Sequence, residues 1–108
     1  MNDSDTTIQD LRDQVERFND DRDWRQFHTP KNLAASIAIE AAELLEHLQW
    51  GDDLPPERLP ALLEELADVL VYCLALSNVL GVDLSQAVCQ KMARNALKYP
   101  ADEYRGRF

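Results

Sequence analysis

Apolar residues recur along this chain at intervals of three and four, the period of a helix buried along one side. Ile8, Leu11, Val15 and Phe18 mark a first amphipathic helix over about residues 7–19. The run Asp20-Asp21-Arg22-Asp23 breaks the pattern before Trp24 and Phe27. A second stripe, Leu33, Ile37, Ala41, Leu44, Leu45 and Leu48, follows Thr29 and Pro30, which suit an N-cap and a first helical turn. Gly51 supplies its stop signal, and the three prolines between residues 52 and 60 read as a loop. A third helix covers about residues 60–80 and ends at Gly81. A fourth starts from a capping box of Asp83 and Gln86 and reaches about Lys98, short of Pro100.

The third helix differs in kind from the others. From Leu66 to Leu80 it is apolar almost all round, with Val69, Leu70, Val71, Cys73, Leu74, Ala75, Leu76 and Val79 between. Such a helix is buried on every side, and 108 residues hold too few other elements to cover it. The expectation is burial against another subunit. With only three glycines and few β-branched runs, a β fold is disfavoured. The reading is all-α, an antiparallel bundle of about four helices forming one domain over residues 1–108.

Composition narrows the partners. Hydrophobic residues make up 45% of the chain, which fits a globular protein. The formal net charge is −9, and the 11 Lys and Arg residues form no stripe, so no nucleic-acid partner is expected. No apolar run reaches the roughly 18 residues of a membrane span. The chain does not open on the pattern of a secretory leader. Cys73 and Cys89 lie in apolar helical contexts outside any metal spacing, which suggests buried, reduced thiols. A cytoplasmic protein with no membrane partner is expected.

The chemistry lies in the carboxylates. Glu40 and Glu43 on the second helix are three apart, Glu46 repeats the step, and Glu65 and Asp68 pair likewise on the third, with Glu64 alongside. Residues three apart share a helix face. Like charges at that spacing destabilise a helix by a few tenths of a kcal/mol each, and burial of an unpaired carboxylate costs far more. Glu40 and Asp68 both adjoin strongly apolar runs. A hard cation resolves the conflict, because Mg²⁺ takes carboxylates together with substrate phosphates. A di-iron bundle needs Glu-x-x-His, and here Glu43 is followed by Glu46 with His47 out of step. Tyr72, four after Asp68, shares its face. Lys91, Asn95 and Lys98 form one polar, basic face on the fourth helix. Trp24 and Trp50 flank the second helix and suit stacking on a base.

The pattern Glu40-x-x-Glu43, 21 intervening residues, then Glu65-x-x-Asp68 resembles the signature of the MazG-like all-α nucleoside triphosphate pyrophosphatases, and within them the dCTP pyrophosphatase branch. Arg22-Asp23-Trp24, Phe27-His28, Asn32-Leu33, Gln49-Trp50, Val82-Asp83-Leu84, Lys91-Met92 and Tyr99-Pro100 extend the likeness from about Ile8 to Pro100. The resemblance implies hydrolysis of a nucleoside triphosphate to the monophosphate and pyrophosphate, with Glu40, Glu43, Glu65 and Asp68 as Mg²⁺ ligands. It implies that Tyr72, Lys91 and Asn95 touch phosphates or sugar and that Trp24, His28 and Trp50 line the base pocket. It further implies a homotetramer, a dimer of dimers whose neighbouring subunits complete each site. A histidine that mammalian members place in the first helix is Val15 here, and the loop between the two acidic motifs is shorter. A preference for dCTP and 5-substituted dCTP is therefore expected to be weaker than in those relatives.

Two mechanistic roles follow. Glu43 or Glu46 is the candidate to accept a proton from the attacking water, and Lys91 stabilises phosphate charge as a point cation. A second helix of twenty residues spans about 30 Å, so Trp24 and Trp50 meet one base only if flanking segments fold back or a neighbouring chain contributes. The competing reading is a non-catalytic helical oligomerisation or nucleotide-binding module whose acidic faces serve solubility.

Overall fold

The computed structural model describes residues 1–107, and among them every regular element is helical. The order is α1 (Ile8–Asp21), α2 (Pro30–Glu46), α3 (Leu59–Leu80), α4 (Leu84–Lys98) and a last short turn, α5 (Ala101–Tyr104). Single 3₁₀ turns precede α2 (Arg25–Phe27) and α3 (Pro56–Arg58). The all-α architecture agrees with the helical periodicity, and α5 is an added turn beyond Pro100. Among the described residues no helix is long and apolar enough to cross a membrane.

Local chemistry explains the boundaries. Thr7 and Asp10 form a reciprocal capping box at α1, with bonds of 3.0 and 2.9 Å. At α4 the expected box is one-way: Asp83 Oδ1 accepts from the Gln86 amide at 2.8 Å, with no return bond from the Gln86 side chain. Gly81 ends α3 in the left-handed conformation, φ 65°, which a residue with a β-carbon adopts only at a cost. Gly51 does not end α2. That helix closes five residues earlier, with His47 as its C-cap, and residues 47–50 turn away. Arg58 donates from Nη1 to the His47 carbonyl at 3.3 Å, tying the end of α2 to the start of α3.

Helices α2 and α3 pack against each other most extensively, and α1 lies against the C-terminal half of α3. Leu33, Leu74 and Ala75 form the buried apolar centre. Arg12 fastens α1 to the end of α3. It donates to Asn78 Oδ1 at 2.9 Å, the Val82 carbonyl at 2.7 Å and the Ser77 carbonyl at 3.3 Å, and Asn78 donates back to the Arg12 carbonyl at 3.0 Å.

The fourth helix stands apart, without extensive packing on α1, α2 or α3. Cys89, expected to be buried, is exposed on it, whereas Cys73 on α3 is half-buried. The apolar surface of α3 is likewise only partly covered, with Leu66, Leu70, Val71 and Leu80 exposed. The radius of gyration is 16.7 Å, against about 13 Å for a compact domain of this length. The chain exposes 8565 Å², where a compact monomer of this mass exposes about 6,100 Å².

Candidate functional site

Antiparallel packing of α2 on α3 brings three of the predicted carboxylates together. Oxygens of Glu40, Glu43 and Glu65 lie within 4.8 Å of one another, and all three residues are half-buried. One Glu40 oxygen, Oε2, is wholly buried and has no hydrogen-bond partner. Among the described residues the ion pairs are Arg25–Glu16 and Arg105–Asp102, so no cationic side chain neutralises this group. Asp68 lies outside the trio and is exposed, yet close enough that its charge acts on Glu40 and Glu65.

The electrostatic result is a crowded set of like charges. Desolvation first, then the neighbouring Glu43 carboxyl, then the charges of Asp68 and Glu65, push the Glu40 carboxyl up to about 7. Glu65 is raised by burial and by Glu43. The Tyr72 hydroxyl is raised by burial and by Glu40, Asp68 and Glu43, which puts it in the same field. An orphaned buried oxygen in a group of hard oxygen donors fits a divalent cation such as Mg²⁺.

Beside this group, α1 and α3 enclose a cleft of about 580 Å³, the size range of small-molecule sites. Gln14, Val15, Phe18 and Asn19 line it from α1, Asp68 and Tyr72 from α3, and Trp24 and His28 from the segment after α1. Three local features aim that segment. Asp23 takes a left-handed conformation, φ 53°, which Asp tolerates better than most residues and which reverses the chain. Trp24 sets its ring edge-on to Phe18, 5.7 Å between centroids, and its amide donates to the Asn19 carbonyl at 3.0 Å. Thr29 caps α2 by accepting from the Asn32 amide at 3.1 Å, and the Asn32 side chain donates to the Phe27 carbonyl at 3.0 Å. His28 is half-buried with its Nδ1 enclosed and unpartnered.

The predicted residues therefore divide. Glu40, Glu43 and Glu65 meet as a trio, and Trp24, His28, Asp68 and Tyr72 meet in the cleft. Trp50 does neither: it lies past the early end of α2 and is 92% exposed. Glu46, the last residue of α2, is exposed and outside the trio. Lys91 and Asn95 are on α4 and line neither the trio nor the cleft. Two polar lining residues escaped the sequence reading, Gln14 and Asn19. A signal existed for Asn19, because it falls four after Val15 on the apolar face of α1, where the period calls for an apolar side chain.

Comparison with known proteins places this geometry among relatives. The MazG-like family matches residues 35–107. The chain is 43% identical to mouse dCTP pyrophosphatase 1 over 107 residues, covering 93% of this chain and 63% of that protein. It is 42% identical to the human protein of the same name over 102 residues, covering 88% and 60%. The chain thus spans less than two thirds of the length of these curated relatives. Among solved structures, a pyrophosphatase from Archaeoglobus fulgidus superposes with a TM-score of 0.77 at 44% identity, covering 86% of this chain and 92% of that one.

Proposed function

The chain belongs to the MazG-like family, and from that premise we propose that it hydrolyses a nucleoside triphosphate, dCTP or a 5-substituted dCTP, to the monophosphate and pyrophosphate. The observation that carries this reading is continuity. Asp68 and Tyr72 line the cleft and also share the electrostatic field of the Glu40, Glu43 and Glu65 group. One end of a ligand can meet a cation-binding acidic group while its flat end meets Trp24. The activities for which the mouse, human and archaeal relatives are named support the same chemistry.

Glu40, Glu43 and Glu65, joined by Asp68, would hold Mg²⁺. The ion would supply charge neutralisation of the triphosphate and a lowered pKa for a bound water. The chain's own groups do the rest. Trp24 stacks on the base, and His28 faces its edge. The Tyr72 hydroxyl donates to phosphate or sugar oxygen. Glu43 or Glu46 accepts the proton of the attacking water as its oxygen bonds to the α-phosphorus. The bond from that phosphorus to the bridging oxygen breaks, and pyrophosphate leaves. In this reading a homotetramer brings Trp50, Lys91 and Asn95 to the site of a neighbouring copy, where Lys91 offsets phosphate charge. The unpacked α4 and the excess exposed surface support that assembly.

A panel of dCTP, 5-methyl-dCTP, dTTP, dUTP and dATP competing in one reaction, read as pyrophosphate release with Mg²⁺, tests the proposal. A pyrimidine, led by the cytosine nucleotides, is expected to be consumed fastest. A fastest purine would defeat the base assignment alone. Release from none of them would defeat the enzyme reading and favour the binding module.

A further inference from the structure

Arg22 follows the last residue of α1, with aspartates at positions 20, 21 and 23 around it. Among the described residues its guanidinium nevertheless pairs with no carboxylate. It lies over the ring of Phe18, with 3.6 Å from the guanidinium carbon to the ring centroid, and its Nη1 donates to the Phe18 carbonyl at 3.0 Å. The Arg22 amide donates to the Asn19 carbonyl at 3.2 Å, so the backbone is held as well. Phe18 and Arg22 are four apart, the spacing at which side chains meet on a helix. A planar guanidinium can cover a ring and donate from its edge at once, which an ammonium cannot. Phe18 is in turn the ring that Trp24 meets in a T-shaped pair, 74° between planes. Phe18 is 48% and Trp24 43% exposed, so burial alone does not lock either ring. Both line the cleft, whereas Arg22 does not.

We propose that Arg22 is a positioning residue for base stacking: it fixes the ring of Phe18 and, through Phe18, the plane of the Trp24 indole against which the base lies. The inference deepens the nucleotide reading above and rests on it for the ligand. The turn at Asp23 sets the backbone at Trp24 but leaves the side-chain torsions of the tryptophan to be set by its neighbours. An indole that wanders among orientations has to be ordered when a base arrives, and that ordering subtracts from affinity. Aromatic pairs have preferred geometries, and a cation over one ring face holds that ring in place. The chain from Arg22 to Phe18 to Trp24 thus orders the stacking surface during folding, before any ligand is present. Stacking is nearly indifferent to the identity of the base. Arg22 therefore governs how tightly any accepted nucleotide binds, and leaves the choice between bases to other groups. Because Arg22 lies outside the cleft lining, it acts through the two rings and not on the phosphates.

The test compares Arg22→Ala and Arg22→Lys, each with Phe18 intact and with Phe18→Leu. kcat and KM are measured for dCTP and dTTP, with inorganic tripolyphosphate as an inhibitor lacking any base. Arg22→Ala is expected to raise KM for both nucleotides roughly two- to fivefold, the equivalent of one exposed cation–π contact. kcat should stay within about twofold, and inhibition by tripolyphosphate should not change. Arg22→Lys, which keeps the charge, should fall between wild type and Arg22→Ala. Beside Phe18→Leu, Arg22→Ala should add nothing further, the mark of side chains that act through one another. Trp50→Phe leaves Trp24 as the one tryptophan, and time-resolved fluorescence anisotropy then reads its indole in the nucleotide-free protein. The fast local depolarisation should grow in Arg22→Ala. Unchanged depolarisation overturns the proposal, as does tripolyphosphate inhibition that weakens in step with KM. An equal effect of Arg22→Ala beside Phe18→Leu overturns it too. The anisotropy needs no catalysis, which separates this inference from the reading beneath it. If wild type releases no pyrophosphate, the hydrolysis reading fails, while the anisotropy and the calorimetric affinity for dCMP still decide the role of Arg22.

Discussion

Helices α2–α3 and helix α4 carry polar residues of the same predicted site, yet the fold treats them differently. The α2–α3 pair is closed within the chain: its packing alone brings Glu40, Glu43 and Glu65 within 4.8 Å. The fourth helix presents Lys91 and Asn95 beside the exposed apolar residues Val88 and Met92, and packs on little of the chain. The acidic half of the site is thus built by one chain. The basic half is attached to a helix that has not found its cover. Charge makes the separation instructive, because the acidic group carries an orphaned buried oxygen and, among the described residues, no side-chain ion pair. The proposed function fills both gaps, with a divalent cation on the carboxylates and with Lys91 from a neighbouring copy.

The largest expected effect bears on the acidic half. Glu40→Gln or Glu65→Gln should lower turnover by more than the roughly 10–100-fold that outer-shell changes cost at metal sites, with helicity by circular dichroism unchanged. Removal of one like charge leaves the metal-free protein as stable or more so. If both variants kept near wild-type turnover in saturating Mg²⁺, the two halves would no longer differ in the way described.

The next effect concerns α4. Light scattering at micromolar concentration is expected to report a tetramer, and Lys91→Ala to cut kcat/KM by about tenfold or more, the loss of one charged hydrogen bond of roughly 1.5–3 kcal/mol. A monomer with full activity would show that α4 has no part in the site. The tryptophans then sharpen the comparison. Trp24→Ala should weaken nucleotide binding by roughly 1–3 kcal/mol, the worth of one stacked base. Trp50→Ala should match it only under conditions where the assembly persists, because in the chain alone Trp50 faces solvent.

The smallest effect is set by pH. The Glu40 carboxyl is raised from 4.5 to about 7. The folded chain therefore holds a proton that the unfolded chain has released. Its stabilising contribution is complete below about 4.5 and is lost as pH rises through about 7. Without metal, the melting temperature should decline across that window. Glu40→Gln should flatten the decline, and divalent metal should reverse it, with an affinity that grows as the carboxyl ionises. A melting temperature that rose over the same window without metal would contradict the crowding of like charges.

Much of this was legible from residue spacing, for physical reasons that also mark its limit. Glu40, Glu43 and Glu65 could be paired from sequence because a helix repeats at fixed angles and two adjacent helices face each other in few ways. The end of α2 was not legible. Gly51 is a good stop signal, yet no positive φ is required there, and the chain turns at His47, where Arg58 takes up the last carbonyl from 11 residues away. That error moved Trp50 from the end of a helix into an exposed turn. The box expected at Asp83 proved half-made, while the complete one at Thr7 and Asp10 uses an aspartate rather than a glutamate or glutamine. Asn19 was visible as a break in the apolar face of α1, but one polar residue in a stripe acquires meaning only when the neighbouring helix shows what lies opposite.

Arg12 has a consequence for motion. Its guanidinium takes up the Ser77 and Val82 carbonyls and the Asn78 side chain, so the frayed end of α3 is completed by a side chain from α1. Opening of α1 strips those partners from the last turn of α3 at the same moment. The two segments therefore breathe as one cooperative unit, although about 65 residues separate them in sequence. Since α1 is also a wall of the cleft, a ligand seated there acts as a latch on both. Amide exchange is then expected to slow together at the start of the chain and around Gly81, sixteen residues along α3 from Glu65.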